Sequence, residues 1–132
     1  MTAWIFAIRE GKEEHLRIAL QHGFWDTKYN AVVAKGDAVY FWQSGNSFVA
    51  KCVATGDRRP LGAADRSVDR SPWNDRESYR WRFPMQLISA NPTRQPKWAG
   101  VQRLTGRKLA IRGGWCSVHG TGEEALASFF TV

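Results

Sequence analysis

Residues 38–54 of the chain read AVYFWQSGNSFVAKCVA. Apolar side chains alternate along both halves of this stretch with a period of two, which is typical of β-strands. Ser44–Ser47 supplies the polar residues and the glycine of a hairpin connection. The stretch therefore predicts two antiparallel strands, over residues 38–43 and 48–54.

The segments around the hairpin predict further strands and a helix. Trp4–Ile8 is a short apolar run, which indicates a strand buried on both faces. Lys12–His22 has the apolar stripe of a helix that ends at Gly23. Tyr79–Ile88 alternates apolar with basic or polar residues and predicts a strand, which Pro84 restricts to a sheet edge or a bulge.

Other segments are less periodic. Phe24–Asn30 has no clear period and is interpreted as a loop, and residues 55–78 as one long surface loop. Residues 98–104 fit a short helix or a strand, residues 109–112 a last strand, and residues 121–130 a C-terminal helix. Five to six short strands with two to three helices predict an α+β domain built on a curled sheet or a small open β-barrel.

The length and composition favour one domain over residues 1–132. A chain of 132 residues with 43% hydrophobic and 23% charged residues is an ordinary globular sequence, although seven Trp residues are an excess. No apolar run approaches the roughly 20 residues that cross a bilayer, and the first residues lack a signal-peptide pattern. We therefore expect a cytoplasmic protein that does not bind a membrane.

The net charge of +7 is concentrated in one part of the chain. Residues 58–112 hold 13 of the 19 basic residues, and 13 of the 19 are Arg, whose planar guanidinium matches phosphate groups. This distribution favours a nucleic-acid partner, while a merely solubilising basic surface is the alternative.

The sequence offers little conventional catalytic chemistry. Its three His residues are scattered, and Cys52 and Cys116 are too far apart in sequence to suggest a metal motif. Cys116 and His119 are the one close thiol and imidazole, and they leave a small nucleotide-acting enzyme open as an alternative. We otherwise predict no enzyme, no metal site and no cofactor. Aromatic residues in loops beside a basic segment favour a site in which the rings stack on a base and the basic residues bind the phosphate backbone of the nucleic acid.

At this point the chain resembles a known family. Trp25 with Thr27 follows the first helix, Gly36-Asp37 precedes the first hairpin strand, and the second strand follows in order. This arrangement is similar to the EVE domain of the PUA-like superfamily and to the related YTH domain. The resemblance implies a PUA-like curled sheet and a module that holds a modified base in an aromatic cage.

The resemblance also implies which residues bind. Trp25-Asp26-Thr27 matches the first cage element of YTH-type readers, and Ser71-Pro72-Trp73 resembles the second. Arg9 and Glu10 would contact the base from the end of the first strand. We include Trp42 and Ser44 as candidate pocket residues, although core packing is an equal alternative for Trp25 and the more frequent role of a residue placed as Trp42 is. The expected phosphate contacts are basic residues of the middle and late segment: Arg58, Arg59, Arg80, Arg82, Arg107 and Lys108.

The function that this resemblance implies is base recognition without catalysis. The expected ligand is a methylated or hydroxymethylated cytosine flipped out of DNA, as in modification-dependent restriction systems that pair the reader with a fused or partner nuclease. N6-methyladenine or another modified base in RNA is the alternative.

Overall fold

The computed structural model describes residues 2–8, 13–43, 48–67, 70–73, 75–105 and 114–130. Its strands are β1 (Ala3–Ile8), β2 (Phe24–Thr27), β3 (Ala38–Gln43), β4 (Phe48–Ala54), β5 (Arg59–Pro60), β6 (Trp81–Ser89) and β7 (Trp115–Val118). Its α-helices are α1 (Glu13–His22), α2 (Trp98–Thr105) and α3 (Thr121–Ser128). Within these ranges no helix combines the length and the apolar character that crossing a bilayer requires.

The strands form one curled mixed sheet in the order β2-β6-β4-β3-β1-β7, and β5 pairs with β6. The predicted hairpin is confirmed, since β3 and β4 are antiparallel with Ala38 opposite Val53 and Trp42 opposite Phe48. β1 runs parallel to β3 and antiparallel to β7. With α1, α2 and α3 beside this sheet, the α+β curled-sheet prediction is confirmed.

Apolar clusters cover both faces of the sheet. Phe6 on β1 and Phe41 on β3 belong to the first cluster, which packs under α1. Ile5 and Tyr40 belong to the second cluster, which packs against residues of α2 and α3. The prediction that β1 is buried on both faces is therefore confirmed.

β2 forms where the sequence predicts a loop. Trp25, Asp26 and Thr27 are all buried, so the strand shows no alternation of apolar with polar residues. It forms because it pairs antiparallel with β6, with Asp26 opposite Arg82. Since that pairing joins residues 56 positions apart, it leaves no local period in the sequence.

Pro84 lies where β6 exchanges one partner for another. Phe24 of β2 pairs with Pro84, and from Met85 onwards β6 pairs with β4. The strand therefore crosses from one part of the curled sheet to the other at the residue that has no amide hydrogen to donate. The register between β4 and β6 also shifts, since consecutive Lys51 and Cys52 pair with Ser89 and Leu87, so β6 itself has a bulge, with Ile88 as its extra residue rather than Pro84.

The remaining segments sharpen the sequence interpretation. Residues 98–105 are helical. Residues 55–78 contain β5 and two short 3₁₀ turns at Ala63–Arg66 and Arg76–Ser78. The strand predicted over residues 109–112 lies outside the described residues, and β7 forms after it without having been predicted.

Candidate functional site

Four aromatic rings meet beside the first turn of α1. The imidazole of His15 lies parallel to the indole of Trp73, with ring centroids 3.8 Å apart and planes inclined by 4°. The rings of Trp25 and Tyr79 each lie 5.3 Å from His15 at an angle of 64°. We call these four residues the aromatic cluster. Its members come from α1, β2 and the segment before β6, so only the folded chain assembles it.

The members of the aromatic cluster differ in their access to solvent. Trp73 is 2% exposed and Trp25 8% exposed, so both indoles are buried. His15 and Tyr79 are half-buried and form the outer side of the cluster. Trp73 follows a polar loop, which argues against a core position on sequence grounds, yet the fold buries it under His15.

A buried ion pair holds Trp73 in position. The indole Nε1 of Trp73 donates to Oδ2 of Asp26 at 2.9 Å. Arg82 donates Nε to Oδ1 of Asp26 at 2.7 Å and Nη2 to Oδ2 at 2.9 Å. Because a bidentate Arg–carboxylate pair is geometrically specific, it orients the carboxylate and, through it, the indole.

The same contacts occupy Arg82 itself. Its Nη2 also donates to the carbonyl of Arg70 at 2.8 Å, and its guanidinium lies 3.8 Å from the centre of the Phe24 ring. The side chain is 10% exposed. The structure thus gives Arg82 an internal partner, whereas the sequence interpretation assigns it to phosphate.

Trp25 and Trp73 form a corner rather than two parallel walls. Since His15 is nearly parallel to Trp73 and Trp25 is inclined by 64° to His15, the two indoles are steeply inclined to each other. Trp25 also packs edge-on against Phe41 at 4.7 Å in the core. Its indole Nε1 is buried and has no hydrogen-bond partner among the residues that the structure describes.

The other predicted pocket residues take different positions. Thr27 is buried, and its Oγ1 accepts a hydrogen bond from the amide of Tyr29 at 3.1 Å, which stabilises the turn after β2. Trp42 belongs to the second cluster, where it packs on Phe48 at 5.0 Å and Trp98 at 5.1 Å. Because side chains alternate along β3, Phe41 rather than Trp42 faces the aromatic cluster. Arg9, Glu10 and Ser44 lie outside the described residues.

The predicted phosphate-binding arginines on the surface are partly engaged. Arg58 lies 4.0 Å from the centre of the Trp81 ring and donates to Asn30. Arg59 donates to both carboxylate oxygens of Asp65, at 3.0 and 2.9 Å. Arg59 and the amide of Gly62 hold the pKa of Asp65 well below its usual range.

Arg80, like Arg59, is a surface arginine. It is exposed, and its Nη1 donates to the carbonyls of Glu77 at 2.7 Å and Tyr79 at 3.3 Å. Carbonyl oxygens carry no net charge, so these two contacts do not neutralise the guanidinium of Arg80. Arg107 and Lys108 lie outside the described residues.

Sequence reasoning missed three residues of the site. Sequence analysis assigns no binding role to His15, Tyr79 or Asp26. A signal for Asp26 exists in hindsight, since a carboxylate inside the run Phe24–Thr27 requires a cation once the run is buried. No comparable signal distinguishes His15 from His22 on the same helix.

Chemistry other than ring stacking is sparse in this part of the chain. Within the described ranges no three His, Cys, Asp or Glu side chains group closely enough to hold a metal ion. Burial and the neighbouring Asp75 raise the pKa of the Tyr79 phenol, whose hydroxyl donates to Oδ2 of Asp75 at 3.1 Å. Tyr79 is therefore neutral at physiological pH. Its ring contacts His15, and its hydroxyl is held by the hydrogen bond to Asp75.

Comparison with known proteins identifies the fold. No protein-family model matches the chain, and no curated protein matches its sequence. Among solved structures, ASCH from Zymomonas mobilis aligns with a TM-score of 0.68 at 6% identity, over 98% of this chain and 96% of that chain.

Two domains solved with nucleic-acid ligands align as well. The N-terminal domain of McrB from Thermococcus gammatolerans, bound to m5C DNA, has a TM-score of 0.59 at 13% identity over 96% of this chain and 95% of that chain. The YTH domain of the Zygosaccharomyces rouxii MRB1 protein, in complex with N6-methyladenosine RNA, has a TM-score of 0.57 at 16% identity over 97% of this chain and 86% of that chain. The curled α+β sheet of this chain is therefore a PUA-like fold, shared with these ASCH, McrB and YTH domains.

Proposed function

We propose that this chain is a reader domain that binds one modified base of a nucleic acid against Trp73. The observation that carries the proposal is the aromatic cluster itself, in which the Trp73 indole already stacks parallel on a planar ring, that of His15, and Trp25 and Tyr79 close two sides. Likeness in fold to domains solved with m5C DNA and N6-methyladenosine RNA supports this reading.

The energetics of such a site require help from the backbone. Taking a base out of its stack costs a few kcal/mol, and each base–aromatic contact returns about 1–3 kcal/mol. The balance is close to zero, so net affinity must come from phosphate contacts. Exposed Arg80, with Arg58 and Arg59 near the same end of β6, supplies the positive charge on this side of the sheet.

Our preferred ligand is a methylated or hydroxymethylated cytosine in DNA. Trp25 Nε1 supports a pyrimidine, since a buried donor without an acceptor among the described residues fits a base carbonyl. An EVE-type reader that serves a fused or partner nuclease is the corresponding biological role. N6-methyladenine in RNA is the second candidate, and the likeness to the YTH domain favours it.

The test is a matrix of matched oligonucleotides. One DNA and one RNA sequence are prepared with unmodified bases, with 5-methylcytosine, with 5-hydroxymethylcytosine and with N6-methyladenine, and each Kd is measured by fluorescence anisotropy. We expect modified-cytosine DNA to bind between about fourfold tighter, from burial of one methyl group, and about 200-fold tighter. Equal affinity for all oligonucleotides of both series would refute the reader function.

A matched pair of variants assigns the preference to the aromatic cluster. Trp73→Ala removes the stacking face and should abolish the preference for the modified base. Trp115→Ala truncates a half-buried indole that packs on Trp4 at 5.7 Å, outside the aromatic cluster, and should retain the preference. If Trp73→Ala folds and keeps the preference, the site is misassigned.

We also propose that the domain has no catalytic activity of its own. The competing enzyme hypothesis depends on Cys116 and His119. Loss of a measurable turnover in Cys116→Ala would support that hypothesis, whereas unchanged nucleic-acid binding by this variant supports the reader.

A further inference from the structure

His15 occupies the position on Trp73 that a stacked base would need. Its ring is parallel to the indole, with the ring centroids 3.8 Å apart, which is the arrangement that a base stacked on Trp73 would also adopt. Trp73 as a whole is only 2% exposed, so its other face is not open to a base either. A base and the His15 imidazole therefore cannot stack on Trp73 at the same time.

The hydrogen bond between His15 and Tyr79 can be broken without leaving the Tyr79 hydroxyl unpaired. Its Nδ1 lies 3.4 Å from the hydroxyl of Tyr79, and this hydroxyl already donates to Asp75 at 3.1 Å. Tyr79 keeps its stronger partner when the imidazole moves away. His15 is half-buried at the outer side of the aromatic cluster and is not among the buried residues of the first cluster.

The position of His15 in α1 allows its side chain to move without disturbing the packing of the helix. It lies in the first turn of the helix, where backbone amides have no intrahelical partners. The helix is anchored further along by Leu16 and Ala19, which are buried in the first cluster. Displacing the imidazole thus leaves the anchoring face of α1 in place.

We propose that His15 is an internal competitor for the aromatic cluster and that a nucleobase binds by displacing its imidazole from Trp73. This inference rests on the proposed function and adds how the site is regulated. A competitor lowers the affinity for every guest by the same factor, because its cost is independent of the guest. His15 therefore sets the affinity of the site and leaves its preference for the modified base unchanged.

The first experiment measures binding of free nucleosides, 5-methyldeoxycytidine and N6-methyladenosine, through quenching of tryptophan fluorescence. His15→Ala should bind at least one of them about tenfold tighter than the unaltered protein, since the ring contacts of His15, chiefly its stacking on Trp73, no longer have to be broken. His22→Ala, on the same helix and packed on Phe24 at 5.6 Å, is the matched control and should bind as the unaltered protein does. Equal or weaker binding by a folded His15→Ala would overturn the inference.

The second variant keeps an aromatic ring on Trp73. His15→Phe substitutes a larger and more apolar ring that is harder to displace, so it should bind the nucleosides more weakly than the unaltered protein. Tighter or equal binding by His15→Phe contradicts the inference even if His15→Ala does not fold.

Oligonucleotides separate this inference from the proposed function. With modified and unmodified DNA, His15→Ala should improve both affinities by the same factor and preserve their ratio. A changed ratio means that His15 contacts the base directly, which overturns the competitor role while the reader function stands. Tighter nucleoside binding by His15→Ala without any preference for modified strands supports the competitor role and refutes the reader function.

Discussion

At the scale of single residues, Asp26 determines where Trp73 lies. Its carboxylate is 1% exposed and accepts hydrogen bonds from Trp73 and, twice, from Arg82. A carboxylate at that depth is tolerated only with a well-aligned cation, because desolvation of a single charge costs several kcal/mol. The stacking face of the site is thus positioned by an ion pair rather than by apolar packing alone.

Asp26→Asn should lower the free energy of unfolding by about 3–5 kcal/mol, because it leaves the Arg82 guanidinium buried without its counter-ion. Urea denaturation followed by circular dichroism measures the change. Asp65→Asn is the matched control, since its partner Arg59 is half-exposed, and it should cost less than about 1 kcal/mol. Similar losses in the two variants would contradict the structural role of the Asp26 pair.

Two buried titratable groups predict that alkaline pH destabilises the fold. Burial raises the pKa of the Cys52 thiol to about 12, and burial together with Glu123 raises the pKa of the Tyr40 phenol to about 12. The unfolded chain loses these protons near pH ~8.5 and pH ~10, while the folded chain keeps them. The stabilisation is complete below about pH 8.5 and is lost as the pH rises towards 12.

Urea denaturation at pH 7, 9 and 10.5 should therefore show a falling free energy of unfolding. Cys52→Val replaces the ionisable thiol with an apolar side chain that still fills the site. It should therefore flatten the decrease in the free energy of unfolding between pH 7 and 9. A Cys52→Val profile identical to that of the unaltered protein would exclude the thiol as the cause.

At the scale of elements, the pairing of β2 with β6 assembles the site. Asp26 lies directly opposite Arg82 in this pair, so the ion pair is a cross-strand contact. A slip of one residue would turn Arg82 to the other face of the strand and break the contact. The register is held where α1 passes into β2, because the carbonyl of Gly23 accepts the amide of Met85 at 2.9 Å.

Gly23→Ala tests this junction. Gly23 has a φ of +78° and donates its amide to Ala19 at 2.8 Å, so the helix ends in a left-handed residue. An added Cβ meets only Met85 O at 3.8 Å, and the expected cost of about 1–2 kcal/mol is conformational. Gly62→Ala is the control at a φ of −95° and should change thermal stability little. Equal effects of the two substitutions would contradict a special role for Gly23.

At the scale of the whole molecule, the segment that carries the excess of positive charge also contains two members of the aromatic cluster, Trp73 and Tyr79. The net charge is +7, and the segment that carries the excess includes β5, β6 and the turns that precede β6. Phosphate contacts of this kind act on every sequence alike and weaken with salt. In the proposed reader, the charge supplies affinity and the rings supply selection.

Arg80→Ala should weaken modified and unmodified strands by the same factor and reduce the slope of log Kd against log salt concentration by about 1. Anisotropy titrations over a salt series measure this slope. Arg17→Ala removes an exposed cation of α1 that pairs with Glu14 and should leave the slope unchanged. A loss of base preference in Arg80→Ala would place Arg80 in the pocket instead.

The local sequence alone determined the β3–β4 hairpin, β1, the extent of α1 and the excess of positive charge. These elements show a period of two, a short apolar run or a helical stripe, and such patterns are readable because burial repeats with the backbone period. It also placed Trp25 and Trp73 together in one candidate site, through the resemblance to YTH-type readers.

Tertiary structure alone decided that residues 24–27 form β2 and that Trp73 points inward. It also decided that Trp42 packs in the second cluster, away from the aromatic cluster, and that His15 stacks on Trp73. β2 has no readable period because it is buried on both faces, and it exists only through its pairing with β6. Trp73 lies 47 positions and Arg82 lies 56 positions from Asp26 along the chain. Contacts over such distances depend on how the elements pack, and no local periodicity encodes them.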